Sequence, residues 1–220
     1  MARLPRIVVP GYPHHVTQHG VRSLDVFHCD GDRHVYLSFL SEEAARFGLD
    51  ILAWCLMTNH VHFIAVPHQA TSLARTFGEA HRRYTCMKNI SQGVSGYLFQ
   101  GRFASCVLDG HLLVAAARYV AMNPVHAGLA RTPWEYPWSS ARFHGGFIDH
   151  DPLVKDRTLH GLLTDWQQVL STEDEADSAR LRQATRTGRP AGDEKFVAKV
   201  ENMTGRSLQI KPAGRPRKPA

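Results

Sequence analysis

Leu49-Asp50-Ile51-Leu52-Ala53-Trp54-Cys55-Leu56, then Met57-Thr58-Asn59, then His60-Val61-His62-Phe63-Ile64-Ala65-Val66-Pro67 is the stretch on which the fold turns. Two apolar runs of strand length flank a three-residue break, and Pro67 stops the second, a pattern that predicts a β-hairpin. Before the hairpin, Asp30 or Asp32 caps a helix that Gly48 closes near Phe47. Tyr36, Phe39, Leu40, Ala44 and Phe47 fall on one stripe of it. Further upstream His14-His15-Val16-Thr17-Gln18-His19, bounded by Pro13 and Gly20, reads as a strand. After the hairpin a helix is predicted from Thr71 or Ser72 to Lys88, with Leu73, Phe77, Ala80, Tyr84 and Met87 at helical spacing. Tyr97 to Leu108 reads as extended with an interruption at Gly101, and a third helix is expected from Gly110 to Met122, ended by Pro124. The order is βαββαβ plus one helix, which predicts an α+β, ferredoxin-like antiparallel sheet. Trp134, Tyr136 and Trp138 among prolines predict an apolar flap. Beyond residue 150 helices are expected over Leu159–Leu170, Ala176–Ala184 and Asp193–Met203. The chain thus divides into residues 1–150, a helical extension over 151–204 and a basic tail over 205–220 that is expected to be disordered, having little apolar surface to bury.

The 220 residues are 43% hydrophobic and 21% charged, enough for a sizeable core and too apolar for a wholly disordered chain. No run of eighteen apolar residues occurs, so no transmembrane helix and no membrane partner are expected. The N-terminus lacks a signal-peptide core, and Cys29, Cys55, Cys86 and Cys106 form no CxxC pair. Reduced thiols in a cytoplasmic protein are therefore expected. The net charge of +6 is unevenly spread: +3 over residues 1–150, −2 over 151–204 and +5 over 205–220. A basic tail rich in Pro and Gly, with Arg206, Lys211, Arg215, Arg217 and Lys218, suggests a polyanion such as nucleic acid, or else simply aids solubility. Its Gly214-Arg215-Pro216 resembles an AT-hook, an extended segment that lies in a narrow minor groove.

Two features carry chemistry. His60 and His62 are i and i+2 on a strand, so they share a face, with Cα atoms about 6–7 Å apart. Two imidazoles so placed can converge on a cation, or can simply hydrogen-bond within a sheet. On the third helix Tyr119, Leu112, Asn123, Ala116, Val120 and Leu113 form one contiguous arc, with Tyr119 at the edge of the apolar stripe. A tyrosine there is commonly a core ring whose hydroxyl reaches water. Facing a His-x-His strand, Tyr119 and Asn123 become a nucleophile beside a three-ligand metal site. His14 and His15 could approach this site, although a structural role in the sheet is the plainer reading of both.

The combination resembles the HUH single-strand endonucleases, in which a His-hydrophobic-His pair binds a divalent metal and a tyrosine attacks a DNA phosphodiester. Residues 1–145 are similar, more closely, to the REP-associated tyrosine transposases. The matching segments are Ala2-Arg3-Leu4-Pro5-Arg6, Cys55 to His62, Gly78 to Tyr84, Phe99-Gln100-Gly101-Arg102-Phe103, Ala117 to Val125 and Pro137-Trp138-Ser139-Ser140. The resemblance implies that Tyr119 is the nucleophile, that His60 and His62 are metal ligands, and that Asn123 completes the site. It departs at Met57-Thr58-Asn59, where the family reads Met-Pro-Asn, at Gln18-His19-Gly20-Val21, where it reads Gln-Arg-Gly-Asn, and at Asn123-Pro124-Val125-His126, where it reads Asn-Pro-Val-Arg. None of these changes removes a catalytic group.

The implied reaction is metal-dependent cleavage and strand transfer through a 5′-phosphotyrosine, with Mg²⁺ or Mn²⁺ as cofactor. The implied partner is single-stranded DNA beside a palindromic hairpin, acted on by a monomer or homodimer. Arg82, Arg83, Arg102, Arg215, Arg217 and Lys218 are candidate DNA contacts, the first two being equally suited to a solvated helix face. The alternatives are a non-catalytic nucleic-acid binder or regulator derived from a transposase, and a zinc hydrolase. The strands carry no RNA-recognition aromatic motif, and no His-Glu-x-x-His occurs.

Overall fold

The computed structural model describes residues 5–155, 159, 166, 170 and 175–208. Strand β1 (His14–His19) is followed by helix α1 (Asp30–Phe47), strands β2 (Leu49–Leu56) and β3 (His60–Pro67), helix α2 (Ser72–Gln92), strand β4 (Ala104–Val107) and helix α3 (Gly110–His126). A one-turn helix α4 (Ala141–His144) precedes α5 (Glu175–Thr187) and α6 (Glu194–Thr204). The sheet is antiparallel throughout, in the order β2-β3-β1-β4, as the ferredoxin-like reading requires.

Both faces of the sheet are covered, which explains why β2 and β3 read as nearly unbroken apolar runs. One face carries Val16, Trp54, Leu56, Val61 and Phe63 into a core shared with Tyr36 and Leu40 of α1 and Phe77 and Tyr84 of α2. The other carries Ala53, Cys55, Ile64 and Cys106 against Leu112, Ala116 and Val120 of α3 and Leu181 and Ala184 of α5. A register shift between Ile51 and Ala53 lets β2 place Ile51 in the first core and Ala53 in the second.

Three expectations are adjusted. Of the extended stretch Tyr97–Leu108 only Ala104–Val107 is strand; Gly101, at φ +59°, turns the chain, and Phe99 makes a single bridge to Gly20. Helix α3 runs to His126 rather than Met122, with Pro124 inside it and buried. The lost proline N–H bond is offset by packing of its ring, so the turn that carries Asn123 stays helical. The second helix likewise extends to Gln92, capped by Gly93. The predicted helix over Leu159–Leu170 lies mostly outside the described residues.

Both sheet edges are closed by backbone pairing. The Trp138 carbonyl accepts from the Leu56 amide (2.8 Å), and the Tyr136 hydroxyl donates to the Leu56 carbonyl (2.8 Å). On the far edge the Ala191 amide donates to Val107 (2.8 Å), and its carbonyl accepts from Asp109 (2.9 Å). The extension also pins the start of the chain: Val200 and Leu208 pack with Ile7 and Val9, and the Arg206 guanidinium donates to the carbonyls of Pro5 and Arg6. Residues 205–208, expected to be disordered with the rest of the tail, are instead packed structure because Leu208 finds an apolar pocket, while Lys211, Arg215, Arg217 and Lys218 lie outside the described residues. No described helix is long and apolar enough to cross a membrane.

Candidate functional site

The antiparallel register decides what the two histidines meet. Thr17 pairs with His62 and His19 with His60, so the odd residues of β1 share a face with His60 and His62. That face lies under α3. His15 therefore enters the site. His14 points to the other face, where its Nδ1 donates to the Tyr12 carbonyl (2.8 Å) and its Nε2 accepts from the Val9 amide (3.2 Å). The adjacent histidines thus have opposite roles, and His14 is structural.

The His60 and His62 rings lie 4.9 Å apart, near-perpendicular at 80°. His62 is buried, its ring 5.5 Å from that of Tyr119; the His15 ring is 5.9 Å from Tyr119. His60 is half-buried and stacks with exposed His19 at 4.8 Å. On the hairpin turn, Asn59 Nδ2 donates to the Ser23 carbonyl (3.2 Å), which turns Oδ1 toward His60 Nδ1 at 2.6 Å. That oxygen only accepts, so His60 carries its proton on Nδ1 and keeps a lone pair on Nε2. The turn is held in place at Gly20, whose amide donates to the Asn59 carbonyl (2.8 Å). A Cβ at Gly20 would stand 2.2 Å from the Leu24 carbonyl oxygen, so only glycine fits there.

Asp109 caps α3 by accepting from the Leu112 amide (2.7 Å) and sets the helix phase that brings Tyr119 over the sheet. Asn123, one turn on, donates through Nδ2 to the Tyr119 carbonyl (2.8 Å). Burial raises the Tyr119 hydroxyl above its ordinary value; the Arg182 charge, and hydrogen bonds from Arg182 and Asn123, pull it partly back. The phenol is therefore protonated at neutral pH. A cleft of about 310 Å³ opens beside it, lined by Arg118, Tyr119, Met122, His126, Ser178 and Arg182.

The donors suit a divalent cation. Burial lowers His60 to about 4 and, with the neighbouring imidazoles adding to it, takes His62 well below the usual range, so both are neutral, the form that ligates. Each also has its Nδ1 engaged, the second-sphere pattern of metal-bound histidine. Among the described residues no three His, Cys, Asp or Glu side chains stand together as a metal-holding group.

Burial also lowers His14 to about 4, and His15 and His81 to about 3. These folded values lie below the unfolded value of 6.5, so below that pH the unfolded chain binds more protons. The stability is fully present above pH 6.5 and is lost as pH falls toward 4, at up to about 1.4 kcal/mol per pH unit for each such group. The melting temperature should be flat from pH 7 to 8 and drop steeply below pH 6; a flat profile down to pH 4.5 would refute neutral burial of these rings.

Two of the expected DNA contacts lie away from Tyr119. Arg82 and Arg83 lie on α2, across the sheet from Tyr119; Arg82 pairs with Glu79 (2.5 Å) and Arg83 with Glu42 and Glu43 (2.7 Å each). Arg102 is exposed near the β1 end of the site, two residues after Gln100, whose amide donates to the His19 carbonyl (2.8 Å). Sequence reading missed Arg118, Arg182 and Thr185. Arg182 and Thr185 are three apart on α5, hence on one helix face, which was the available signal.

No family model and no curated protein matches the chain. Among solved structures it is similar to a REP-associated tyrosine transposase bound to a REP hairpin, at 16% identity and TM-score 0.58, over 72% of this chain and 94% of that one. A candidate transposase from Deinococcus radiodurans R1 aligns at 17% identity over 54% of this chain and 95% of that one, with a TM-score of only 0.39. The chain, with its four-stranded antiparallel sheet, is thus similar in fold to a REP-associated tyrosine transposase.

Proposed function

We propose that the protein is a metal-dependent single-strand DNA endonuclease and strand transferase of the tyrosine-transposase kind. The observation that carries this reading is the seating of the Tyr119 ring 5.5 Å from His62, on the sheet face that also presents His60. The likeness in fold to a transposase bound to a DNA hairpin supports it, and suggests single-stranded or hairpin DNA as the partner. Four free thiols accord with a cytoplasmic setting. In this reading residues 1–150 are the catalytic unit and the extension over 151–204 completes its cleft.

Nε2 of His60, Nε2 of His62 and the Asn123 amide oxygen would hold Mg²⁺ or Mn²⁺. When bound, the cation supplies Lewis acidity at a non-bridging phosphate oxygen. The phosphate backbone enters the cleft on the side of Arg118 and Arg182, away from Glu175, which also lines it. The Tyr119 oxygen forms a bond to phosphorus as the bond from phosphorus to the 3′ oxygen breaks. The phenolic proton is balanced by the one that the 3′ hydroxyl gains. Arg182 stabilises the charge left on the Tyr119 oxygen as it gives up its proton for attack. A second 3′ hydroxyl reverses the step and joins strands without an external energy source.

Incubation of single-stranded oligonucleotides with Mn²⁺ tests this: a covalent protein–DNA adduct is expected, and a protein that binds DNA but never forms one is the regulator instead. Lys211, Arg215, Arg217 and Lys218 are proposed as an electrostatic arm. Truncation after Leu208 should then flatten the slope of log K against log salt on single strands by about 3, at about 0.7 per phosphate. Cleavage at saturating oligonucleotide should barely change. An unchanged salt slope would remove the arm from the account.

A further inference from the structure

A line of hydrogen bonds runs from the extension into the site. Thr185 on α5 is 4% exposed, and its hydroxyl donates to the Leu181 carbonyl (2.9 Å). Its oxygen lies 2.8 Å from His15 Nδ1 and 3.3 Å from Cys106 Sγ. His15 Nε2 lies 3.2 Å from His62 Nδ1, the two rings parallel to within 9°. A hydroxyl has one proton. Committed to Leu181, it leaves Thr185 Oγ1 as a pure acceptor toward His15. His15 must then carry its proton on Nδ1, which makes its Nε2 an acceptor. His62 must in turn carry its proton on Nδ1.

We propose that Thr185 and His15 are positioning residues that fix the His62 proton on Nδ1 and keep its Nε2 as an unprotonated donor atom. The Leu181 carbonyl, one helical turn back on α5, sets the direction of the whole chain. The opposite direction, with Thr185 donating to His15 Nδ1, would put a proton on His62 Nε2 and close it to any cation. An appended helix thereby selects the reactive tautomer of a histidine on the sheet, where a bare ferredoxin-like unit would leave both tautomers open. The role in metal binding rests on the proposed function; the tautomer itself does not.

The test separates the two. Long-range ¹H–¹⁵N spectra of the full-length, metal-free protein at pH 7.5 report which ring nitrogen of each histidine is protonated. Wild type should show His15 and His62 both protonated at Nδ1. Thr185→Val leaves the His15 Nδ1–H without an acceptor, so a substantial Nε2–H population should appear at His62. Mn²⁺ binding should weaken by about 10-fold or more, as for other outer-sphere partners of metal ligands. Thr185→Ser should restore both. A role in packing alone predicts the reverse, since valine would then preserve the tautomer and serine would not rescue it. A wild-type spectrum with His62 protonated at Nε2 overturns the proposal whether or not Thr185→Val folds, and so does a folded Thr185→Val protein with unchanged tautomers. Correct tautomers in a wild-type protein that binds no Mn²⁺ would uphold the relay and sink the metal reading.

Discussion

Tyr119→Phe should abolish the covalent protein–DNA adduct, lowering cleavage by roughly 10³-fold or more, the scale expected when a reacting group is deleted. The substitution removes one oxygen and keeps the ring that packs at the edge of the α3 core. The lost hydrogen bonds to Arg182 and Asn123 are those of a half-buried hydroxyl, so stability should change by no more than about 1 kcal/mol. Binding of single-stranded DNA should persist through Arg118 and Arg182 at the cleft. Denaturing gels with a labelled oligonucleotide read the adduct, and thermal melts read the fold. Cleavage at the wild-type rate by Tyr119→Phe would sink the assignment. Tyr84, with its hydroxyl buried on the Val26 carbonyl across the sheet, would be a poor replacement, and exposed Tyr97 would be tested next. Arg182→Ala, which withdraws the charge beside the Tyr119 oxygen, should slow cleavage without abolishing it.

The His60→Ala/His62→Ala protein should lose Mn²⁺ binding by calorimetry and lose cleavage by roughly 10²-fold or more, because two of few protein donors are gone. His60 is half-buried at a turn, so its removal alone should leave the fold intact. His62 is different: its loss opens a cavity and orphans His15 Nε2, costing about 1–3 kcal/mol. The single His60→Ala variant is therefore the cleaner probe of metal, and the double variant the stronger. Asn123→Ala should be milder, since water replaces an amide ligand. Undiminished Mn²⁺ binding by the double variant would place the metal elsewhere.

Much of this architecture is legible along the chain because its signals are local. Pro67, Gly48 and the apolar runs on each side of Met57-Thr58-Asn59 mark the hairpin, and helical spacing marks α1 and α2 to within a turn. Strand parity alone puts His60 and His62 on one face. Helical phase alone puts Asn123 one turn beyond Tyr119. Pro124 misleads because its burial against the core, invisible locally, offsets the missing N–H.

The sequence by itself thus determined the element order, the hairpin and which residues share a strand or helix face, since those follow from periods of 2 and 3.6 residues. Tertiary structure alone decided that His15 rather than its neighbour His14 meets His62, because the antiparallel β1–β3 register pairs positions 41 to 51 residues apart and no local pattern encodes that pairing. It also decided that the extension beyond residue 150 belongs to the site. Arg182 and Thr185 sit in an ordinary amphipathic helix, and only the packing of α5 against α3 and β4 brings one to the Tyr119 hydroxyl and the other to the His15 ring. A hydrogen bond between residues 170 apart depends on the whole fold being in place, which is why a single stretch of sequence cannot announce it.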